Sequence, residues 1–113
     1  MKNVLFTIRR NYFDAIVSGE KTEEIRSFMP RWNWLLGPGA PQVAVFLCGH
    51  DVHRRYIKRI YVDDVVKVLG RSVSEQGRKD LHFKPGENTK ACVIVELGAE
   101  FTNNPSKEGS MDP

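Results

Sequence analysis

Apolar and polar side chains alternate along several short stretches of this chain, a period-two pattern that is typical of β-strands with one buried face. Two stretches, residues 43–48 and 91–97, are instead almost wholly apolar, which indicates strands that are buried on both faces. The predicted strands cover residues 4–9, 22–28, 43–48, 56–69 and 91–97. The chain is therefore expected to be mainly β.

A short helix is predicted between the first two strands. Apolar residues recur there at helical spacing, at Tyr12, Phe13, Ile16 and Val17. Asn11 is the predicted N-cap, and Gly19 is the predicted stop, because glycine readily adopts the left-handed conformation that ends many helices. The helix is then only about two turns long.

The later polar segments predict turns and a second helix. Residues 49–55 are expected to form a polar, basic turn, and Asp63 with Asp64 marks a bulge or turn in the fourth strand. Ser72 and Glu75 have the spacing of a capping box and predict a second short helix.

These elements predict a single α+β domain that is mostly β. We expect a small mixed β-barrel of about five or six strands, with one short N-terminal helix and a second short helix. Barrel closure would bury the two apolar strands of so short a chain without exposed strand edges. The domain is predicted to span residues 1–101, and the polar residues 102–113 are predicted to be a disordered tail.

Composition narrows the functional classes. The chain is 41% hydrophobic and 27% charged, which is ordinary for a globular protein. No run approaches the roughly 18 apolar residues of a membrane span, and the apolar run at the N-terminus is too short for a signal peptide. A cytoplasmic protein with no membrane partner is therefore expected. In that reducing compartment Cys48 and Cys92 are expected to be buried thiols rather than a disulfide.

The excess of positive charge lies in the first half of the chain. The net charge is +3, and residues 1–60 hold ten Lys or Arg against five Asp or Glu. A basic half points to a polyanionic partner, nucleic acid first, although many small domains are mildly basic without one.

One polar motif stands at the start of the second strand: Gly19, Lys21, Thr22, Glu24 and Arg26. Because side chains alternate along a strand, Thr22, Glu24 and Arg26 are expected on one face, with Lys21 in the turn beside them. Lys21 and Arg26 could bind phosphate, while Thr22 and Glu24 could contact polar base or sugar edges. A simple Glu24–Arg26 ion pair on an exposed strand fits the same residues equally well.

Further candidate ligand contacts lie outside the motif. Arg54 and Arg55 belong to the most basic stretch and are predicted either to contact phosphate or to lie in a solvated turn. Arg9, at the end of the first strand, joins the predicted binding set. Of Trp32 and Trp34, one is expected in the core and the other at the rim, and Trp32 is included as a residue that could stack on a base.

No metal and no cofactor are predicted. Cys48, His50 and His53 carry side chains that can ligate a metal, but their spacing matches no zinc pattern and a fourth ligand is missing. The sequence also contains no glycine-rich phosphate loop.

The motif and the residues before it resemble the opening of an ASCH domain. Residues 4–9 and 12–26 are similar to that domain's strand, short helix and Gly-x-Lys-Thr-x-Glu-x-Arg signature. The resemblance is specific over residues 4–28 and extends in strand order to about residue 98. It implies a PUA-like barrel with a basic cleft beside Lys21, suited to RNA or a nucleotide-like ligand such as a modified nucleoside.

The resemblance also implies two alternatives. One branch with this fold hydrolyses the acetyl amide of acetylated cytidine, and it has a nucleophilic threonine where this chain has Glu24. If the protein is such a hydrolase, the predicted catalytic residues are Lys21, Glu24 and Thr22, with Glu24 as general base, Lys21 as oxyanion partner and Thr22 as a helper. The acid of that branch lies in a later polar segment, where Glu75 is a loose candidate. The other alternative is a phage-type accessory protein that binds a host protein.

Overall fold

Five β-strands form one mixed sheet in the computed structural model, which describes residues 1–101 of the chain. In chain order the elements are β1 Asn3–Thr7, α1 Arg10–Ser18, β2 Glu23–Ser27, a 3₁₀ helix Pro30–Leu36, β3 Val43–Cys48, β4 Asp51–Asp64, α2 Val65–Leu69, α3 Glu75–Asp80 and β5 Ala91–Glu100. The predicted tail, residues 102–113, lies outside the described residues.

The strand order in the sheet is β1-β3-β4-β5-β2, so β1 and β2 are the two edges. β1 runs parallel to β3, and the other neighbouring strands are antiparallel. The 14-residue β4 pairs first with β3 and then with β5, and its register against β5 shifts between Arg55 and Arg59. The sheet curls into a half-barrel, so the predicted mostly β, mixed, PUA-like α+β fold is confirmed.

The two edge strands approach each other without forming a ladder within residues 1–101, so the predicted barrel closure is not observed there and both edges stay open. Arg26 on β2 donates a hydrogen bond of 3.4 Å to the backbone oxygen of Thr7 at the end of β1. Its Cζ also lies 4.8 Å from the centroid of the Phe6 ring on β1. Side chains, rather than backbone pairing, therefore span the opening between β1 and β2.

Two apolar clusters cover the two faces of the sheet. The inner cluster fills the curl; its buried members are Val4, Phe6, Phe13, Ile16, Leu35, Ala44, Phe46, Val93, Val95 and Leu97. The outer cluster lies on the other face of the sheet, with buried members Val65, Leu81, Cys92 and Ile94. Because alternate residues of β5 enter both clusters, β5 is buried on both faces, as its apolar run predicts.

The start of α1 differs from its prediction, whereas its end agrees. Arg9 occupies the N-cap position with an extended backbone and no side-chain cap, and Asn11 lies inside the first turn. The N–H of Ile8 still bonds to β3 at 3.0 Å, and the helix begins two residues later, at Arg10. Gly19 ends the helix with a φ of 85°, as predicted.

The segment 49–69 differs from its prediction at both ends. The turn between β3 and β4 needs only two residues, so β4 already begins at Asp51. The end of the predicted strand is helix α2 instead, and Asp64 is its N-cap rather than a bulge. The Asp64 carboxylate accepts hydrogen bonds from the N–H of Val66 at 2.9 Å and of Lys67 at 3.3 Å. This cap outweighs the β-propensity of the valines that follow.

The second short helix that the sequence predicts is present as α3, but with a different cap. Ser74, not Ser72, accepts a hydrogen bond from the N–H of Gly77 at 3.1 Å. The capping box predicted from Ser72 is therefore wrong, because the serine two positions later satisfies the first turn of the helix.

Candidate binding cleft

A cleft of about 820 Å³ lies beside the motif, between α1 and β2 on one side and α2 and α3 on the other. The motif contributes Lys21, Glu24 and Arg26 to its lining, and Thr7 at the end of β1 contributes as well. The cleft therefore occupies the region where the half-barrel stays open between its two edge strands.

Glu24 is the buried polar centre of the cleft. Its side chain is 7% exposed, because alternation along β2 turns it into the curl of the sheet, opposite Val95. Oε2 accepts a hydrogen bond of 2.8 Å from Arg26 Nε, and Oε1 lies 3.8 Å from Lys21 Nζ. The Glu24–Arg26 ion pair considered from the sequence exists, but it is buried in a cleft rather than exposed on a strand.

Aromatic rings hold Arg26 in place. Its Cζ lies 4.8 Å from the ring centroid of Phe6 and 5.5 Å from that of Trp32. Trp32 packs against Phe6 with the centroids 5.4 Å apart, whereas Trp34 is 43% exposed. Trp32 is thus partly buried against the inner cluster, whereas Trp34 is the rim tryptophan. Trp32 does not line the cleft, and a second cation, Arg31, lies 4.9 Å from its ring.

The turn after Gly19 places Lys21 and Thr22 differently. The N–H of Lys21 donates to a carbonyl of α1 at 2.9 Å, and its ammonium donates to the backbone oxygen of Glu23. Thr22 is exposed, its hydroxyl donates to the Glu23 carboxylate at 3.1 Å, and it does not line the cleft. Because β2 begins only at Glu23, the alternation that places Glu24 and Arg26 together does not extend back to Thr22.

Arg9 and Asp80 form an ion pair between the β1–α1 side of the cleft and α3. Nε and Nη2 of Arg9 donate to the two carboxylate oxygens of Asp80 at 3.2 and 2.9 Å. The hydrogen bond from Arg9, with a further one from Gln76, lowers the pKa of Asp80 below its usual range. Burial, followed by the charge of Asp80, raises the pKa of Tyr12, which also lines the cleft.

The charges that line the cleft balance one another. The cations are Arg9, Lys21, Arg26 and Arg71, and the carboxylates are Glu20, Glu23, Glu24 and Asp80. Apolar side chains of α2, including Val68 and Leu69, complete the wall. The lining is thus neutral overall, in contrast to the basic cleft that the resemblance implies.

Arg54 and Arg55 lie away from the cleft lining. Arg55 faces the inner side of the sheet, where its guanidinium donates to the backbone oxygens of Ile16 at 3.0 Å and Gly98 at 2.7 Å. These bonds tie α1 to β5, so this guanidinium has a structural role. Arg54 faces the opposite side of the sheet, next to Val45.

Tyr12 and Asp80 are cleft residues that the sequence analysis missed. Helical spacing predicts Tyr12 as part of a buried stripe, yet it is half-buried and faces the cleft. Asp80 lies 71 positions from its partner Arg9, and no local pattern signals such a distant pair.

The metal-capable side chains are dispersed in the structure. No three His, Cys, Asp or Glu side chains come together to hold a metal ion in residues 1–101. Cys48 and Cys92 are free thiols, as predicted; Cys48 is half-buried, and burial raises the pKa of Cys92 to about 11. Burial lowers the pKa of His53, whose Nε2 has no hydrogen-bond partner among the described residues.

Within residues 1–101, no helix is long and apolar enough to cross a membrane.

Comparisons with known proteins bear on the fold. No protein-family model matches the sequence, and no curated protein matches it. Among solved structures, the chain is similar to the crystal structure of the ZmASCH S128A mutant protein from Zymomonas mobilis, with a TM-score of 0.58 and 21% sequence identity. The match covers 95% of this chain and 78% of that one. Residues 1–101 therefore adopt the fold of an ASCH protein, as the resemblance of the motif implies.

Proposed function

We propose that this protein belongs to the ASCH family and binds RNA or a nucleotide-like ligand in the cleft beside residues 19–26. The observation that carries the proposal is the buried Glu24 carboxylate, held between Lys21 and Arg26 inside an open cleft. A buried charged group that faces a cavity of this size favours recognition of a polar ligand over a purely structural ion pair.

The lining suits a nucleobase. The side chains of Val68 and Leu69 and the ring of Tyr12 offer apolar surface to the faces of an aromatic ring. Glu24 offers a hydrogen-bond acceptor and Lys21 a donor for the polar edge of a base. Because the lining charges balance, the backbone phosphates of an RNA would be contacted outside the cleft, and Arg54 stays the predicted residue for that contact.

Titration of labelled single-stranded RNA and of free nucleosides tests the proposal. Lys21→Met should weaken binding by about tenfold, since one charged contact of about 1.4 kcal/mol is lost. Lys67→Met is the matched control, because Lys67 is 77% exposed on α2 and outside the lining. RNA affinity should fall as salt rises. Absence of binding to every RNA and nucleoside, or equal losses in the two variants, would contradict the proposal.

A hydrolase is the second candidate, because Lys21 and Glu24 face the same cleft with Nζ and Oε1 3.8 Å apart. Glu24 would activate water, and Lys21 would stabilise the developing oxyanion of an acyl group. Thr22 points away, which argues against a role for its hydroxyl. Incubation with acetylated cytidine, followed by chromatography, tests this candidate. Lack of turnover, or turnover that survives Lys21→Ala, would reject it.

The third alternative, an accessory protein with a host-protein partner, stays a prediction, as does the cytoplasmic location. Capture of a host protein from a nuclease-treated lysate by this protein, and loss of that capture in Arg54→Met, would favour the protein partner over RNA.

A further inference from the structure

Residues 70–90, here called the cover, connect α2 to β5 and form one wall of the cleft. The cover contains α3, none of whose six residues is buried. Within the cover, Leu81 is the one buried residue; Val73 and Phe83 pack partly buried against the outer cluster. The cover therefore rests on the sheet through a small apolar contact.

Hydrogen bonds inside the cover hold it together as a unit. The Arg78 guanidinium donates to the backbone oxygen of Glu87 at 2.7 Å and stacks on the Phe83 ring. The Lys90 ammonium donates to the backbone oxygen of His82 at 2.9 Å. These bonds would survive a movement of the cover as a whole.

The backbone links to the rest of the protein lie at the two ends of the cover. Gly70, with a φ of 70°, donates to Val66 at one end, and Lys90 accepts from Val65 at the other. No residue of the cover belongs to a β-ladder of the described chain. The cover can therefore leave the cleft without breaking the pairing of the sheet.

In the middle of the cover, Asp80 provides the link to the opposite side of the cleft. Its two carboxylate oxygens accept from Arg9 at 3.2 and 2.9 Å. We propose that the cover opens and closes over the cleft while the sheet stays folded, and that the Arg9–Asp80 pair is the latch that holds it closed. This inference concerns access to the cleft and does not depend on any ligand.

Cys92 provides a native probe of the opening. It is fully buried in the outer cluster beside Leu81, and burial raises the pKa of its thiol to about 11. The thiolate is the reactive form, so this buried thiol reacts slowly at pH 8. Lifting of the cover removes Leu81, Val73 and Phe83 from the outer cluster and should therefore raise the rate at which a thiol reagent modifies Cys92. A Cys48→Ser background removes the half-buried second thiol.

The experiment compares the labelling rate of Cys92 in three full-length proteins: the Cys48→Ser background and the same protein with Asp80→Asn or Asp14→Asn. Asp14 is the matched control, since it is 65% exposed and pairs with Arg10 on the surface of α1. We expect Asp80→Asn to raise the rate about two- to fivefold, as for loss of an exposed ion pair, and Asp14→Asn to leave it unchanged. High salt should raise the rate of the background protein in the same direction.

Urea separates local opening from unfolding. Opening of the cover exposes little surface, so the labelling rate should depend weakly on urea, whereas global unfolding depends on it steeply. Equal labelling rates in the three proteins would overturn the latch. A urea dependence as steep as that of global unfolding would overturn the local opening itself.

Discussion

Replacing Glu24 with Gln should destabilise the protein even in the absence of a ligand. Gln keeps the volume of the side chain, so no cavity forms and the change removes only the negative charge. Arg26 and Lys21, whose side chains are both 21% exposed, then lose the carboxylate that lies between them. The free energy of unfolding should fall because two cations stay in the cleft without their counter-charge.

The size of this loss follows from the geometry. A hydrogen bond between two charged groups, such as the 2.8 Å contact from Arg26, contributes about 1.5–3 kcal/mol. The Lys21 contact at 3.8 Å adds at most about 1 kcal/mol. Partial hydration of both cations, and the amide oxygen of Gln, recover part of the total. We therefore expect a loss of about 2–3 kcal/mol, a large share of the total stability of a domain of this size.

Urea unfolding followed by tryptophan fluorescence measures the effect, because Trp32 lies beside Arg26. Glu20→Gln is the matched control: Glu20 also lines the cleft, but it is exposed, so its loss should stay within about 0.5 kcal/mol. A double-mutant cycle of Glu24→Gln with Arg26→Met should show a coupling of at least about 1 kcal/mol. A loss for Glu24→Gln no larger than for the control would refute the buried ion pair.

Three further predictions concern residues outside the ion pair. Burial lowers the pKa of His53 below 6.5, so the unfolded chain takes up a proton at a higher pH than the folded protein, and the free energy of unfolding should fall as the pH drops below 6.5. Urea unfolding at several pH values measures this fall. A smaller fall in His53→Leu would support the prediction, whereas an equal fall would not. Arg55→Met should lower the free energy of unfolding by about 1–3 kcal/mol in the same assay, because two backbone carbonyls lose a charged donor. Arg54→Met should lower it by less than about 0.5 kcal/mol. Similar values for the two variants would contradict the structural role of Arg55. Asp64→Ala should cost about 1 kcal/mol through loss of the α2 cap, and an unchanged unfolding midpoint would show that this cap is not needed.

The elements that the sequence predicts correctly are those with a strong local signal. β3 coincides with the apolar run 43–48, and Gly19 ends α1 because the left-handed conformation at this position suits glycine. Asp64 was ambiguous for a local reason, since an aspartate before β-branched residues fits both an interrupted strand and a helix cap. Only the hydrogen-bond geometry of the first turn decides between the two.

The cleft could be predicted only in part, because its residues come from distant parts of the chain. The motif gives Lys21, Glu24 and Arg26 through strand alternation alone. Asp80 reaches the cleft through the packing of the cover. Arg55 does not take part in the cleft, because its guanidinium donates hydrogen bonds to backbone carbonyls of α1 and β5. Periodicity and composition carry no information about such long-range partners. The sequence therefore could not show that carboxylates balance the cations that line the cleft.

The pairing of β2 has a consequence for how the protein is made. β2 carries the motif near the N-terminus, but its ladder partner is β5, where Glu23 lies opposite Glu96. During synthesis the motif therefore leaves the ribosome early and stays without its partner strand until nearly the whole domain has emerged. Such long-range pairing is slow to form. The cleft should thus be assembled among the last features of the fold, and a chain that ends before β5 should lack the site altogether, even though it contains the complete motif.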